Sequence, residues 1–220
     1  MNFPSDATHF SSVFPGVRIR VCTLSMNFGI PFFREVLLSM GLVSVSSESI
    51  SCILGQDHGD TGPNACLIVV GGATEALLSR PNTNDLVLKR RRGFIKEALK
   101  NGASLVPIMS FGENNVYDQA PNPPGSVLHR IQTKMKELLS FSLPLFYGRG
   151  IFTNNYGLLP YRQNITSVVG APITAQKIES PTDFDVDDLH RRYMDALECL
   201  YTQHRAKFEA PGCQPMRFVE

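Results

Sequence analysis

The sequence predicts an α/β fold: a mixed, largely parallel sheet flanked by helices. A continuous apolar, β-branched-rich run stands at 65–70, the pattern of a strand buried on both faces, and 104–109 is a second buried-strand candidate. A third strand candidate covers 165–169. Helical periods alternate with these runs, and strand, helix, strand, helix order argues for a layered arrangement. With 220 residues and 43% hydrophobic side chains, the chain is long and apolar enough to bury a core. One domain over 1–220 is expected.

Each element has its own local signal. Pro31 suits a first helical position and Gly41 an exit, so 31–40 reads as a short helix. Val43 and Val45 make a strand candidate, and Ser47 is placed to cap a helix through Ile50 and Leu54. A polar, glycine-containing loop over 56–64 leads to the strand at 65–70, which Gly71-Gly72 ends. Phe94, Ile95, Ala98 and Leu99 share one side of a helix over 93–100, stopped by Asn101-Gly102. The strand at 104–109 follows, and 127–139 reads as a basic amphipathic helix. The last helix, 184–208, carries Leu189, Tyr193, Leu197, Leu200 and His204 at helical spacing. Asp185, Asp187 and Asp188 favour its N-terminus through the helix dipole.

Bulk properties narrow the function classes. Charge is nearly balanced, 21 basic against 20 acidic residues, which argues against a dedicated nucleic-acid binder. Cys22, Cys52, Cys66, Cys199 and Cys213 are scattered without a CxxC pair. That argues against a zinc site and a disulfide framework, and favours a reducing environment. No apolar run approaches a membrane span, and no basic-then-apolar signal opens the sequence. These residues are expected to be soluble or peripherally attached. Asn164-Ile165-Thr166 is a formal glycosylation sequon, a short match that chance often supplies.

Four segments hold residues suited to chemistry. In Val69-Val70-Gly71-Gly72-Ala73-Thr74-Glu75 a strand ends in two glycines, followed by a carboxylate. Paired glycines let backbone approach a ligand, and open α/β sheets bind ligands at strand C-termini. The same residues also suit an ordinary strand-to-turn with a capping glutamate. In Lys89-Arg90-Arg91-Arg92-Gly93-Phe94-Ile95-Lys96 four cations precede a helix start, a ready phosphate site. A solvated charged loop is the other reading. Val106-Pro107-Ile108-Met109-Ser110-Phe111-Gly112-Glu113-Asn114 repeats the strand, glycine, carboxylate order, and Ser110 lies in no GxSxG elbow. In Gly148-Arg149-Gly150 an arginine between glycines is free to point into a cleft. His9, His58, His129, His190 and His204 stand at no recognisable catalytic spacing, and the last three fall in predicted helices as surface or core-edge residues.

Taken in order, these segments resemble the type 2 diacylglycerol acyltransferase family, which includes monoacylglycerol and wax-alcohol acyltransferases. The resemblance runs through Phe14-Pro15-Gly16, Arg34-Glu35, Gly71-Gly72-Ala73 with Glu75, Arg92-Gly93-Phe94-Ile95-Lys96 and Leu105-Val106-Pro107-Ile108. It continues through Ser110-Phe111-Gly112-Glu113-Asn114, Gly148-Arg149-Gly150, Gly157-Leu158-Leu159-Pro160-Tyr161 and Gly170-Ala171-Pro172-Ile173. It implies a glycerolipid-acyltransferase-like fold and transfer of an acyl group from acyl-CoA to diacylglycerol, or to monoacylglycerol or a long-chain alcohol. The alternative is a non-catalytic acyl-CoA or lipid-binding protein.

By the same resemblance Glu75 and Glu113 are the catalytic candidates, with Glu75 orienting a base or the acceptor. Gly71, Gly72, Arg90, Arg91, Arg92, Gly93, Lys96 and Arg149 would bind acyl-CoA. Acyl-CoA is the substrate, and no cofactor or metal is called for, because coenzyme A is already an adequate leaving group. The implied partners are a glycerolipid or long-chain alcohol and a membrane or lipid-droplet surface, not nucleic acid, with a homo-oligomer left open. The implied location is the cytosolic face of the endoplasmic reticulum membrane and lipid droplets. The family has an N-terminal membrane hairpin and a His-Pro-His-Gly motif whose histidine serves as general base. Neither stands in these 220 residues. A single acyltransferase domain lacking both is therefore expected, with little triacylglycerol synthesis by these residues alone.

Overall fold

The computed structural model describes residues 9–55, 62–119, 146–150, 157 and 159–219. In chain order the first elements are α1 (Phe10–Val13), β1 (Arg18–Thr23), α2 (Phe33–Ser39), β2 (Val43–Ser44), α3 (Ser47–Gly55) and β3 (Asn64–Ile68). Next come α4 (Gly72–Leu78), β4 (Asp85–Leu86), α5 (Gly93–Asn101), β5 (Ile108–Phe111), β6 (Asp118–Gln119) and β7 (Phe146–Tyr147). The last are β8 (Thr166–Val169), α6 (Asp183–Phe208) and β9 (Arg217–Phe218). Two compact units result: Met1–Val69 with Arg92–Val106 and Pro172–Tyr193, and Val70–Arg91 with Pro107–Ala171 and Met194–Glu220.

The first unit holds a parallel sheet in the order β2-β1-β3. Parallel neighbours need crossover connections, and α2 and α3 lie in them. α2 starts two residues later than Pro31 implies: Phe32, 87% exposed, has a positive φ (64°, ψ −41°) at the centre of a tight turn in which Phe33 N donates to Pro31 O at 2.8 Å. At α3 the capping hydroxyl belongs to Ser46, which accepts from Ser49 N at 3.3 Å. The Ser47 hydroxyl instead donates to Glu97 at 2.9 Å. α5 buries Ile95, Ala98 and Leu99, and Gly102 (φ 66°) closes it as expected. Ile95 and Leu99 join Ala175, Val186 and Leu189 in one core, edged by Phe94, Leu105, Ile173, Ile178 and Tyr193. The start of α6 is held by a reciprocal cap: Asp185 N donates to Thr182 Oγ1 at 3.3 Å, and Thr182 N donates to Asp185 Oδ2 at 2.9 Å. The hydrogen bonds from Thr182, its hydroxyl first, hold the Asp185 carboxyl below the usual range.

The second unit is built from short ladders. β4 and β9 pair in parallel, whereas β5–β8 and β6–β7 are antiparallel. The expectation of a mixed, largely parallel sheet is met in part: among the described residues both kinds of pairing occur, but in several small sheets and not in one. An apolar run reports burial and not strand direction. The run at 65–70 forms a strand only over Asn64–Ile68, half-buried throughout, with Val69 exposed. The strand expected at 104–109 begins at Ile108, since Pro107 has no N–H to enter a ladder. Pro107 still accepts, taking Gly170 N at 2.8 Å. Phe111, 2% exposed, packs against Tyr201 and Phe208 of α6 at 5.9 and 6.0 Å between ring centroids. The helix expected at 127–139 lies outside the described residues, among which no helix is long and apolar enough to cross a membrane.

Candidate functional site

Glu75 stands in the first turn of α4, a helix with no fully buried residue, and is itself half-buried. Its Oε2 accepts from Val87 N at 2.9 Å. Burial raises the Glu75 pKa above the ordinary carboxylate value. The Val87 bond opposes that rise, the Glu113 charge adds to it, and the Arg91 charge opposes it. Arg91 Nη2 donates to Gly71 O and to Thr74 Oγ1, both at 3.4 Å. Glu75, Glu113 and Arg91, three of the residues singled out from the sequence, thus share one electrostatic neighbourhood in the second unit.

The glycine pair has a different reason from the one expected. A Cβ at Gly71 would run into the Glu75 side chain, so this glycine makes room for that carboxylate. Gly72 adopts a left-handed conformation (φ 59°), and a Cβ there would meet nothing within 4 Å. Glu113 follows Gly112, whose φ is 84°, and is exposed.

The basic run is divided between the units. Arg90 and Arg91 belong to the second, where both are exposed. Arg92, Gly93 and Lys96 belong to the first. There Arg92 pairs with Asp187 at 2.7 Å, and Lys96 reaches Asp183 at 4.0 Å. Exposed pairs of this kind contribute about 0–1 kcal/mol, weak enough for a phosphate to displace the aspartates. Gly93 opens α5, and a Cβ there would meet nothing within 4 Å.

Arg149 does not point freely into a cleft, as its flanking glycines implied. Its Nε donates to Pro160 O at 3.0 Å, and its backbone exchanges bonds with Leu159. A Cβ at Gly148 would collide with Leu159 O, so that glycine serves close backbone approach. Of the histidines, His9 occupies the start of α1, and His190 is buried edge-on to Phe94 at 6.4 Å. His204 Nδ1 lies 2.9 Å from Leu200 O. His58 and His129 lie outside the described residues.

Sequence reasoning missed the groups that hold this site together: Val87 N, Ser79, Asn115 and Gln119. Asn114 stood in a quoted segment without a role. The one available signal was the polar run Glu113-Asn114-Asn115 directly after a buried strand.

A family model described as "Diacylglycerol acyltransferase" matches residues 1–218. The chain is 50% identical over 204 residues to diacylglycerol O-acyltransferase 2 of Dictyostelium discoideum, covering 93% of this chain and 61% of the relative. It is 43% identical over 217 residues to 2-acylglycerol O-acyltransferase 1 of Mus musculus, covering 99% and 64%. It is 45% identical over 211 residues to diacylglycerol O-acyltransferase 2 of Homo sapiens, covering 96% and 54%. The chain thus spans less than two thirds of the length of these relatives. No solved structure matches it.

Proposed function

We propose, from the premise that this chain belongs to the diacylglycerol acyltransferase family, that it is the core of an acyl-CoA-dependent O-acyltransferase converting diacylglycerol to triacylglycerol. The observation that carries the proposal is Glu75. It is a partly desolvated carboxylate with raised proton affinity, fixed by Val87 N and flanked by Arg91. In the reaction the acceptor oxygen attacks the thioester carbonyl, loses its proton to a base, and the carbon–sulfur bond breaks. Coenzyme A leaves with the proton. Glu75 is the described group best suited to take or orient that proton, because a base works best when its pKa is raised toward the working pH. Arg90 and Arg91 are the proposed phosphate contacts of the second unit, and Arg92 and Lys96 are those of the first, each exchanging its aspartate for a phosphate oxygen. Gly93 admits the phosphate to the start of α5, and Arg149 is the remaining candidate.

Acyl-CoA enters as a substrate and not as a cofactor. A monoacylglycerol acceptor is the second reading, favoured by the likeness to 2-acylglycerol O-acyltransferase 1. The proposed location is the cytosolic face of the endoplasmic reticulum membrane and the lipid-droplet surface. Leu24, Ile30, Phe32, Phe33, Val36 and Leu38, exposed within one stretch of the first unit, support contact with a lipid phase.

The test is a chimera in which these residues replace the matching stretch of the Dictyostelium relative. It is expressed in yeast lacking its own storage-lipid acyltransferases and assayed with radiolabelled oleoyl-CoA and diacylglycerol. Triacylglycerol should form, and Glu75→Gln should lower its rate by roughly 10²-fold or more, the lower end of what acid–base groups supply. An inactive chimera beside an active relative, or full activity of the Gln variant, would refute the reading.

A further inference from the structure

Two turns of the second unit are sewn together by side chains that acyl transfer itself does not use. One turn follows α4 and runs through Ser79, Asn82 and Thr83. The other contains Gly112 and the 3-10 turn Glu113–Asn115. Ser79 Oγ donates to Asn114 Oδ1 at 2.6 Å, and Asn114 Nδ2 donates to Thr83 O at 2.7 Å. Asn114 therefore commits both ends of its amide to the same neighbouring turn. A second stitch runs from Asn82 N to Asn115 Oδ1 at 2.7 Å. Farther along, Gln119 Nε2 donates to Ala76 O, near the end of α4, at 2.6 Å.

These bonds connect the two carboxylates by a short path. Ser79 N donates to Glu75 O at 2.8 Å, Ser79 Oγ reaches Asn114, and Asn114 adjoins Glu113. The opposite side of the Glu113 turn is fixed as well: Gly112 has φ 84°, and a Cβ there would collide with Asn164 O. We infer that Asn114 is a positioning residue, clamping the turn that carries Glu113 to the end of the helix that carries Glu75. The two carboxylates then keep a set separation instead of drifting with an exposed loop. Their mutual influence agrees with this, since the Glu113 charge is one of the causes that raise the Glu75 pKa. The other charged group acting on Glu75 is Arg91, which pulls the opposite way. The inference deepens the acyltransferase reading and rests on it for the importance of Glu75.

The experiment follows the Glu75 carboxyl by ¹³C NMR titration in the 220-residue chain. The parent, E113Q, N114A and the double variant are compared. E113Q should shift the Glu75 midpoint downward, because a neighbouring negative charge is gone. In the N114A background that displacement should be reduced, because both Asn114 bonds of the clamp are gone and only the Asn82–Asn115 stitch ties the Glu113 turn to the one that follows α4. An asparagine with a merely structural role would lower the thermal midpoint and leave the E113Q displacement intact. That result overturns the inference, as does the absence of any displacement in the parent. If N114A does not fold, S79A removes one bond of the clamp and is read in the same way: a reduced displacement supports the inference, and a full one overturns it. The titration does not read acyl transfer, so a failure of the acyltransferase reading leaves its outcome intact.

Discussion

Helices α4 and α5 are of similar length and are held by opposite means. α5, in the first unit, drives Ile95, Ala98 and Leu99 into an apolar core. α4, in the second, has no fully buried residue and is fixed by discrete polar bonds: Glu75 to Val87 N, Ser79 to Asn114, and Gln119 to Ala76 O. An apolar anchor tolerates small shifts, since its energy follows area removed from water. A polar anchor is lost when one atom moves by an ångström, but it fixes direction. The candidate carboxylate stands on the helix with polar anchors, where orientation matters more than burial.

The largest expected effect lies on the apolar side. Ile95 is 0% exposed, and Ile95→Ala should cost about 2–5 kcal/mol through lost transfer energy and the cavity left behind. Urea unfolding of the chain would measure it. No residue of α4 offers a comparable loss on truncation of an apolar side chain. A cost below about 1 kcal/mol at Ile95 would therefore erase the contrast between the two helices, since this is the ordinary value of one hydrogen bond.

The polar side yields the next prediction, with its sign set by the direction of the Glu75 shift. The folded state raises the Glu75 pKa, burial being the main cause. Charging Glu75 is thus harder in the folded chain than in the unfolded one. The stability this group contributes is fully present below its unfolded pKa and is lost as pH rises through the higher folded value. Glu75→Gln cannot charge and keeps an acceptor for Val87 N. The variant should be the more stable protein at neutral pH, and its advantage should shrink as pH falls through the raised pKa. Urea midpoints between neutral pH and the ordinary carboxylate range would show this. A constant difference across that range would mean that Glu75 is not desolvated. With the loss of acyl transfer expected of the same substitution, it would mark Glu75 as a residue kept for chemistry at the expense of stability.

The same contrast governs what could be read from the sequence. The period of Phe94, Ile95, Ala98 and Leu99 already states which face of α5 is buried, and Gly102 states where it stops. α4 offered only Gly71-Gly72 and Glu75. The partners of Glu75 are a backbone N–H twelve residues on and charges contributed by another turn, and no periodicity encodes them. The basic run was legible as charge and not as contact. Arg92 and Lys96 lie one helical turn apart, as do Asp187 and Asp183, and only folding sets the two pairs against each other. Strand direction was hidden for a similar reason: the run at 108–111 reads the same in either pairing, and it is antiparallel to β8.

The smallest expected effect tests whether α5 carries any ligand at all. Gly93 is the first residue of α5, its φ is not in the left-handed range, and an added Cβ would meet nothing within 4 Å. Nothing in the protein itself therefore requires glycine there. Gly93→Ala should stabilise the chain by about 0.4–1 kcal/mol, the usual gain when an unstrained glycine gives way to alanine. If the open space above Gly93 is where a phosphate of acyl-CoA comes close to the backbone N–H groups, the new methyl occupies it. Affinity for coenzyme A should then fall while stability rises, and calorimetric titration beside a thermal melt would read both. A variant that gains stability and binds coenzyme A as well as the parent would remove Gly93 from the site. The proposed phosphate contacts would then rest on Arg90 and Arg91 in the second unit, and α5 would be left as a helix held, and explained, by its core alone.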